Sequence, residues 1–241
     1  MKILVLSDIH SNLEALISVF NNVETHSIDL ILNLGDIVGY GPDPEKCIEF
    51  AMERNFISIK GNHERMLFNP LLRRFANDVA RFAIEWTDEN LRHTYRQFLE
   101  RLPEIYRYSN EILCVHGSPI DPDEYILRTS TAQRSLQKIK DEGIKICFHG
   151  HSHVPGIFNE NANFFYEEDK KFYLREGVFL INPGSVGQPR DRNPMASYCI
   201  FDETDFSVMF YRVEYNISRT CEKIALANLP PELGMRLWYG I

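Results

Sequence analysis

Residues 2–10 read Lys2-Ile3-Leu4-Val5-Leu6-Ser7-Asp8-Ile9-His10, a short apolar run that ends in a carboxylate and an imidazole. Apolar residues then recur at helical spacing from Leu13 to Val23, which predicts an amphipathic helix. The next apolar run, from Ile28 to Leu34, predicts a second buried strand. A strand, a helix and another buried strand in this order favour a parallel sheet that is covered by helices.

The alternation of strands and helices continues beyond this start. Asp43-Pro44 is typical of a helix start, because an acidic residue caps a helix and proline fits its first turn. Further strands are predicted at residues 56–59, 104–108, 111–115 and 144–148. Residues 70–101 are predicted to be mostly helical, and short β-like runs follow Pro155. We find no repeat or linker, and we predict one domain over residues 1–241. The C-terminal tail at about 228–241 is expected to dock on this domain, with docking on a second subunit as the alternative.

The composition is that of an ordinary globular protein, with 241 residues of which 44% are hydrophobic and 25% charged. The 26 Lys and Arg against 34 Asp and Glu give a net charge of −8, which argues against binding to extended nucleic acid. No apolar run is long enough to span a membrane, and the N-terminus lacks the pattern of a signal peptide. The five cysteines form no C-x-x-C pair, as is typical of reduced thiols, so we expect a cytoplasmic protein without a membrane partner.

Five of the predicted strands run into side chains that can bind a metal ion. The five clusters are Asp8-Ile9-His10, Gly35-Asp36, Gly61-Asn62-His63-Glu64, His116-Gly117 and Gly150-His151-Ser152-His153. Ligands of open α/β sheets bind at the carboxyl ends of the strands, so these clusters are predicted to build a single site. Carboxylate, amide and imidazole groups without cysteine suit hard to borderline divalent metals. A bridging carboxylate from Asp36 would hold two cations about 3.5–4 Å apart, the spacing of two-metal hydrolases.

Taken singly, each cluster has a simpler interpretation. An isolated aspartate or histidine at a strand end is usually a cap or a turn residue, and a lone Gly-Asp pair carries no functional information. Taken together, five of the eight histidines of the chain fall in these clusters, which chance explains poorly. The joint pattern therefore favours a metal site.

In their order and spacing, the five clusters resemble the motifs of the calcineurin-like metallophosphoesterase superfamily. Two further stretches, Gly35–Pro42 and Asn182–Arg190, resemble its small prokaryotic branch, which includes phosphodiesterases and diadenosine-tetraphosphatase-like proteins. The resemblance implies an α/β fold, a four-layer α/β/β/α sandwich of two mixed sheets flanked by helices. It also implies two divalent metal ions, with Mn as the first choice and Fe, Zn, Ni or Co as alternatives.

The resemblance also implies a role for each clustered residue. One metal is expected on Asp8, His10, Asp36 and His153. The other is expected on Asp36, Asn62, His116 and His151, and water or hydroxide is expected to bridge the two ions. His63 is expected beside the ions without binding them, and it is our candidate general acid, the group that protonates the leaving oxygen.

These expectations describe a dinuclear metal-dependent phosphoesterase, in which a metal-bridging hydroxide attacks a phosphodiester or a nucleotide phosphoanhydride. The expected partner is a small phosphorylated substrate such as a nucleotide, and the sequence leaves the oligomeric state open. Two alternatives remain: a phosphomonoesterase for a small metabolite, and a non-catalytic metal-binding scaffold. The scaffold is disfavoured because His63 and every expected ligand are present.

One motif departs from the protein Ser/Thr phosphatases of the superfamily. Their sequence G-D-x-V-D-R-G carries a second aspartate that orients the catalytic histidine, followed by an arginine that binds phosphate. This chain has Gly39 and Tyr40 at those two positions, which disfavours a protein phosphatase of that type. The partner of His63 is therefore open, with Asp43 of the same loop as one candidate.

Three residues are candidates for binding the substrate. Arg190 and Arg192 follow the loop Asn182–Gln188, and two guanidinium groups suit a phosphate clamp, although a solvated pair with Asp191 is the alternative. Tyr40 is a candidate for stacking on a base, with packing in the core as the alternative.

Overall fold

The computed structural model describes all 241 residues, and two six-stranded sheets form its centre. The first sheet has the order β3 (Ile57–Ser58), β2 (Leu30–Asn33), β1 (Lys2–Leu6), β11 (Ala196–Asp202), β12 (Ser207–Val213) and β9 (Lys171–Tyr173). The second sheet has the order β4 (Ile105–Arg107), β5 (Ile112–Val115), β6 (Ile146–Phe148), β10 (Phe179–Asn182), β7 (Gly156–Phe158) and β8 (Phe164–Phe165). Both sheets contain parallel and antiparallel neighbours.

Helices connect and cover these strands. They are α1 (Leu13–Val23), α2 (Pro44–Glu53), α3 (Asn62–Phe68), α4 (Asp78–Asn90), α5 (His93–Glu100), α6 (Thr129–Asp141), α7 (Ile217–Leu226) and α8 (Glu232–Tyr239), with a 3₁₀-helix at Leu72–Phe75. None of these helices has the length and apolar character that crossing a membrane requires.

The alternation of side chains along β1 explains how the layers form. Successive residues of a strand face opposite sides of its sheet. Ile3 and Val5 lie in the buried cluster between the two sheets. Leu4 and Leu6 lie in a different cluster, together with Leu16 of α1. Because both faces of β1 are covered by apolar side chains, the strand is apolar at nearly every position.

Helix α6 covers the outer face of the second sheet. Its Leu136 and Ile139 cluster with Val115 of β5 and Leu180 of β10. The order across the molecule is therefore helix, sheet, sheet, helix. The four-layer α/β/β/α sandwich of two mixed sheets that the family resemblance implied is confirmed. Full burial of one such leucine contributes about 1.5–3 kcal/mol to the free energy of unfolding.

The C-terminal tail folds back onto the rest of the chain. Helix α8 packs against α7, and its Leu233 and Leu237 join a buried cluster with Tyr40 and with Ala83 of α4. The last helix therefore lies beside the loop that follows β2.

The strand directions bring the predicted clusters together. Strands β1, β2 and β3 are parallel neighbours, and so are β5 and β6. The carboxyl ends of the two sheets meet, since His116 Nε2 after β5 lies 3.4 Å from Asp36 Oδ2 after β2. Two helices were not predicted: α3 begins at Asn62, where the sequence suggested only the end of a strand, and α8 lies in the stretch predicted as a tail.

Candidate metal centre

The loops after five strands place all seven predicted metal residues in one buried site. Ligand atoms of its acidic and imidazole side chains lie within 4.8 Å of one another in three groups. The groups are Asp8–His10–His153, His10–Asp36–His63 and Asp36–His116–His151. Asn62 joins the site through its Oδ1 atom, which lies 2.9 Å from His116 Nε2. Asp36 belongs to two groups, which is the position that a carboxylate between two cations requires.

Each of the two aspartates is fixed through one carboxylate oxygen and presents the other to the centre. The backbone N–H of His63 donates to Asp36 Oδ1 at 2.9 Å, and that of His151 donates to Asp8 Oδ2 at 3.1 Å. Asp8 Oδ1 is buried, receives no hydrogen bond and lies 3.2 Å from His153 Nε2. A buried carboxylate oxygen without a donor is costly, and a cation would satisfy it.

Three imidazole rings are oriented by backbone carbonyl groups. The Nδ1 atoms of His10, His116 and His153 lie 3.2, 2.8 and 2.5 Å from the carbonyl oxygens of Val38, Leu34 and Gln188. A carbonyl oxygen only accepts, so each Nδ1 donates, and the neutral ring presents the lone pair of Nε2 to the centre. The Nε2 atoms of His10 and His153 lie 3.2 Å apart. Hydrogen bonds of this kind orient the histidine ligands of metal sites.

The ring of His151 has the opposite orientation, with Nε2 rather than Nδ1 next to a backbone carbonyl group. Its Nε2 lies 3.2 Å from the carbonyl oxygen of Asp123, which leaves Nδ1 as the lone pair of the neutral ring. The ring stacks on Tyr125 with the two centroids 3.9 Å apart. The site thus offers carboxylate, amide and imidazole donors only, a set that fits hard to borderline divalent cations.

The loops that carry these groups adopt strained backbone conformations. The φ angle is positive, between 48° and 64°, at Asp8, His10, Asp36, His151 and His153. For a residue with a side chain, the left-handed region costs on the order of 1–2 kcal/mol. Five such residues in one site show that the fold holds these side chains at an energetic cost.

Glu64 connects two of the loops. Its buried carboxylate accepts the backbone N–H groups of Asp36 at 2.9 Å, Val38 at 3.2 Å and Gly61 at 2.8 Å. These bonds fix the Asp36 loop against the start of α3. Glu64 belongs to one of the predicted motifs, but no role was predicted for it. The pattern that could have indicated its role is a charged residue one position after His63, at the start of the unpredicted helix α3.

The charges of the site keep the carboxylates ionised. Burial alone raises the pKa of Asp36, but His116 and His63 lower that pKa well below its ordinary value. Burial alone also raises the pKa of Asp8, but His153 chiefly lowers it, and the net effect is a lowered pKa. Burial alone lowers the pKa of His116, yet Asp36 raises it to about 9. When no cation is bound, a proton on His116 therefore offsets part of the negative charge.

His63 lies at the edge of this group. Its Nε2 is 4.0 Å from Asp36 Oδ2, and its ring is edge-on to Tyr40 and His10, with centroids 4.5 and 4.7 Å apart. Burial, more than any neighbouring charge, lowers the pKa of His63 to about 4. The buried Nδ1 atom has no hydrogen-bond partner.

Gly39 occupies the space next to His63 Nδ1. A Cβ atom at Gly39 would lie 2.1 Å from that nitrogen, and the φ angle of +91° also favours glycine. The prediction that Asp43 is the partner of His63 is wrong. Its carboxylate binds Lys46 at 3.0 Å and Lys223 at 2.8 Å instead. Asp43 does precede α2 as predicted, but its side chain makes no capping hydrogen bond.

The three candidate substrate residues lie in different surroundings. Tyr40 is buried against His10 and His63, and the Arg190 guanidinium carbon lies 5.8 Å from the centre of the Tyr40 ring. Arg192 is not one of the residues packed around Tyr40. Its side chain is exposed and makes no hydrogen bond or ion pair. Asp191 pairs with Arg212, so neither arginine of the predicted clamp is bound to it.

A cleft of about 330 Å³ opens beside the centre. Asn62, His63 and His151 form its inner end, while Met66, Leu72 and Phe75 line it farther out. Tyr40 and Tyr125 also line this cleft. Arg65 pairs with Asp123 at its margin. The cleft therefore joins polar groups at the centre to an apolar and aromatic outer wall.

The fold and this centre define the class of the protein. The model of the calcineurin-like phosphoesterase superfamily domain matches residues 1–205, and the chain belongs to this family. Membership implies divalent metal cofactors and supports a phosphoester hydrolase. The resemblance that the sequence motifs indicated is confirmed.

Individual relatives match over nearly the whole chain. Uncharacterized protein MJ0912 of Methanocaldococcus jannaschii is 39% identical over 243 residues, which cover 99% of this chain and 98% of the relative. The crystal structure of a metallophosphoesterase from Sphaerobacter thermophilus is 38% identical, with a TM-score of 0.89 and full coverage of both chains. The hypothetical protein PH1004 from Pyrococcus horikoshii is 26% identical, with a TM-score of 0.84 and coverage of 100% and 98%.

Proposed function

We propose that the protein is a dinuclear metal-dependent phosphoesterase that hydrolyses a phosphodiester or a nucleotide phosphoanhydride. The observation that carries this proposal is the arrangement of Asp8 and Asp36. Each carboxylate gives one oxygen to a backbone N–H and presents the other to convergent imidazole nitrogens. One cation would be held by Asp8, His10, Asp36 and His153. The other would be held by Asp36, Asn62, His116 and His151.

The charge of the site explains why cations are needed to bind the substrate. Two ionised aspartates repel a phosphate ester, and the chain carries a net charge of −8. When bound, two divalent cations reverse the local charge, lower the pKa of a water molecule and polarise the phosphoryl oxygens. Arg190 adds a positive charge near His63 and His153. An anionic substrate is thus attracted to an otherwise acidic protein.

The protein's own groups then handle the proton of the leaving group. During hydrolysis a water oxygen forms a bond to phosphorus, the bond from phosphorus to the leaving oxygen breaks, and that oxygen takes a proton. We assign the donation of this proton to His63 Nε2, because Nδ1 is enclosed by Gly39 while Nε2 lies on the Asp36 side. His63 is positioned for this by the edge-on rings of Tyr40 and His10.

The cleft supports a nucleotide as the substrate. A phosphoryl group at the inner end would leave the rest of the molecule against the outer wall of Met66, Leu72 and Phe75. Phe75 is 89% exposed, which is unusual for a phenylalanine with no partner surface. A base or another aromatic leaving group would cover this ring and gain stacking energy.

Hydrolysis assays test this proposal directly. Metal-stripped protein is reloaded with Mn²⁺ and assayed with bis-p-nitrophenyl phosphate, p-nitrophenyl phosphate and diadenosine tetraphosphate. The variant Asp36→Asn is compared with Asp78→Asn, which changes an exposed aspartate on α4. We expect Mn²⁺-dependent hydrolysis of the diester or the anhydride, lost at least about 100-fold in Asp36→Asn and unchanged in Asp78→Asn.

The other outcomes separate the alternatives. A clear preference for the monoester would overturn the proposal in favour of a phosphomonoesterase for a small metabolite. No hydrolysis of any of the three substrates, with Mn²⁺ still bound, would support the non-catalytic scaffold. Equal rates with and without Mn²⁺ would contradict metal dependence.

A further inference from the structure

Two arginines from distant parts of the chain approach the same aromatic ring beside the metal centre. The guanidinium carbon of Arg190 lies 5.8 Å from the centre of the Tyr40 ring, and that of Arg236 lies 6.0 Å from it. Arg190 follows the loop after β10, whereas Arg236 belongs to α8 near the C-terminus. Arg236 lies beyond residues 1–205, the part of the chain that the family model matches.

Neither of these guanidinium groups is paired with a carboxylate side chain. Arg190 donates from Nη2 to the amide oxygen of Gln188 at 2.9 Å, and its buried Nε has no partner. Arg236 donates from Nε to the main-chain oxygen of Ile241, the last residue of the sequence, at 2.6 Å. By contrast, Arg212 and Arg65 each form an ion pair with an aspartate. Each of the two guanidinium groups therefore retains free N–H donors, and neither is paired with an Asp or Glu side chain.

The packing of two like charges here is unfavourable without an anion. Both cations lie near one ring, and burial together with the charge of Arg190 lowers the pKa of Arg236. A cation–π contact with Tyr40 needs only one arginine. Two guanidinium groups beside the same ring suit a phosphate, because its oxygens accept bidentate hydrogen bonds from arginine.

The pair adjoins the place where a substrate would react. Tyr40 contacts His10 and His63 with its ring edges, at centroid distances of 4.7 and 4.5 Å. Arg190 is close enough to His63 and His153 for its charge to lower the pKa of both. An anion on the two arginines would therefore lie next to a phosphoryl group held at the metal centre.

We propose that Arg190 and Arg236 form an anion subsite that binds a second, non-reacting phosphate group of the substrate. This inference rests on the proposed function and narrows it to molecules with at least two linked phosphates, such as a nucleoside diphosphate or a longer phosphoanhydride. The helix α8 thereby contributes a specificity-determining residue, and the C-terminal tail has a role in substrate choice besides its role in packing.

Binding measurements with two ligands that differ by one phosphate test the subsite. Isothermal titration of adenosine monophosphate and of the non-hydrolysable α,β-methylene adenosine diphosphate is performed on protein with excess Mn²⁺. Wild type is compared with Arg236→Gln, Arg236→Lys and Arg190→Gln. The matched control is Arg219→Gln, because Arg219 is exposed on the neighbouring helix α7 and pairs only with Glu222.

We expect wild type with bound Mn²⁺ to bind the diphosphate analogue roughly 10- to 100-fold more tightly than the monophosphate. In Arg236→Gln this ratio falls to about one, because the second phosphate loses a guanidinium partner. Arg236→Lys restores part of the ratio, since it keeps the charge and loses the planar fork. Arg219→Gln matches wild type.

Two results would overturn the subsite. One is an affinity ratio near one in wild type. The other is a ratio that neither Arg236→Gln nor Arg190→Gln changes, which includes an equal loss of affinity for both ligands. If Arg236→Gln does not fold, Arg190→Gln and Arg236→Lys provide the same comparison. A failure of the proposed function is recognised separately, because wild type would then hydrolyse neither bis-p-nitrophenyl phosphate nor diadenosine tetraphosphate, whereas the binding ratio would still report on the arginines.

Discussion

The Nδ1 atom of His63 lies directly against Gly39, so that a single added Cβ would approach it to 2.1 Å. In the protein phosphatases that share this motif, an aspartate occupies the position of Gly39 and orients the histidine. Here no carboxylate reaches Nδ1, and the ring is held by the edges of Tyr40 and His10 instead. Packing has therefore replaced a hydrogen bond as the means of positioning His63.

This relationship predicts that Gly39 tolerates no side chain. Gly39→Ala would displace the His63 ring, and we expect kcat for a diester with a phenol leaving group to fall roughly 100-fold, the cost of a misplaced catalytic group. Gly143→Ala is the control, because Gly143 also has a positive φ of 72° but has open space around it. An unchanged kcat in Gly39→Ala would show that the position of His63 does not matter for turnover.

His63 itself is expected to matter most for poor leaving groups. His63→Gln should slow hydrolysis of a diester with a phenol leaving group by about 10²–10⁴-fold, and that of a p-nitrophenol diester much less. Bound Mn²⁺, measured by elemental analysis, should stay at the wild-type level. If both substrates slowed equally, the assignment of His63 as the acid would be wrong.

The pH dependence of the wild-type protein provides an independent check on this role. Burial lowers the pKa of His63 to about 4, so its protonated fraction falls about tenfold per pH unit above that value. The ratio of the phenol-ester rate to the p-nitrophenol-ester rate should therefore decrease as the pH rises. In His63→Gln the ratio should be independent of pH, and a parallel slope in both proteins would exclude proton donation by His63.

Metal affinity is expected to rise with pH. Asp36 raises the pKa of His116 to about 9, so a cation must displace a proton from this ring at neutral pH. Below that pKa, affinity for Mn²⁺ should increase up to tenfold per pH unit, and it should level off above about pH 9. Calorimetric titrations in buffers of different ionisation enthalpy would measure the released proton. Binding without proton release at pH 7 would contradict the prediction.

Lys223 is expected to be important for stability but not for catalysis. It joins α7 to the first half of the chain through Glu14 and through Asp43 at 2.8 Å, and its side chain is only 16% exposed. Lys223→Met leaves the half-buried Glu14 without its cation and leaves Asp43 with Lys46 alone, so we expect a loss of about 1–3 kcal/mol in the free energy of unfolding.

A neighbouring lysine serves as the control for this prediction. Lys46 also pairs with Asp43, but its side chain is 59% exposed, so Lys46→Met should change stability by less than about 1 kcal/mol. Urea unfolding monitored by circular dichroism would measure both variants. Equal effects of the two substitutions would contradict the account of Lys223 as a buried link.

Local patterns sufficed to predict a sheet covered by helices and the members of the candidate centre, whereas the four layers followed only from the family resemblance. Strand β1 is apolar on both faces because it lies between the helices and the second sheet, and this is visible in residues 3–6. Parallel strands bring their carboxyl ends together, so clusters after separate strands converge. The residue types of those clusters are those of a divalent metal site.

What the sequence did not predict depends on contacts between distant segments. Asp43 was a candidate partner of His63 because the two share a region of sequence, but Lys223 reaches Asp43 from 180 residues away. No sequence pattern indicated a role for Arg236, because its proposed role follows from the packing of α8 beside Tyr40. Arg190 and Arg192 were equal candidates in the sequence, but of these two only Arg190 lies over the Tyr40 ring.

The number of metal ions per chain tests the central claim most directly. Metal-stripped wild type would be titrated with Mn²⁺, and the bound ions counted after equilibrium dialysis. The shared position of Asp36 predicts two ions per chain, and it predicts that Asp36→Asn weakens both sites together because both lose the same ligand. A single ion per chain, or two ions bound as tightly in Asp36→Asn as in wild type, would contradict a dinuclear centre built on Asp36.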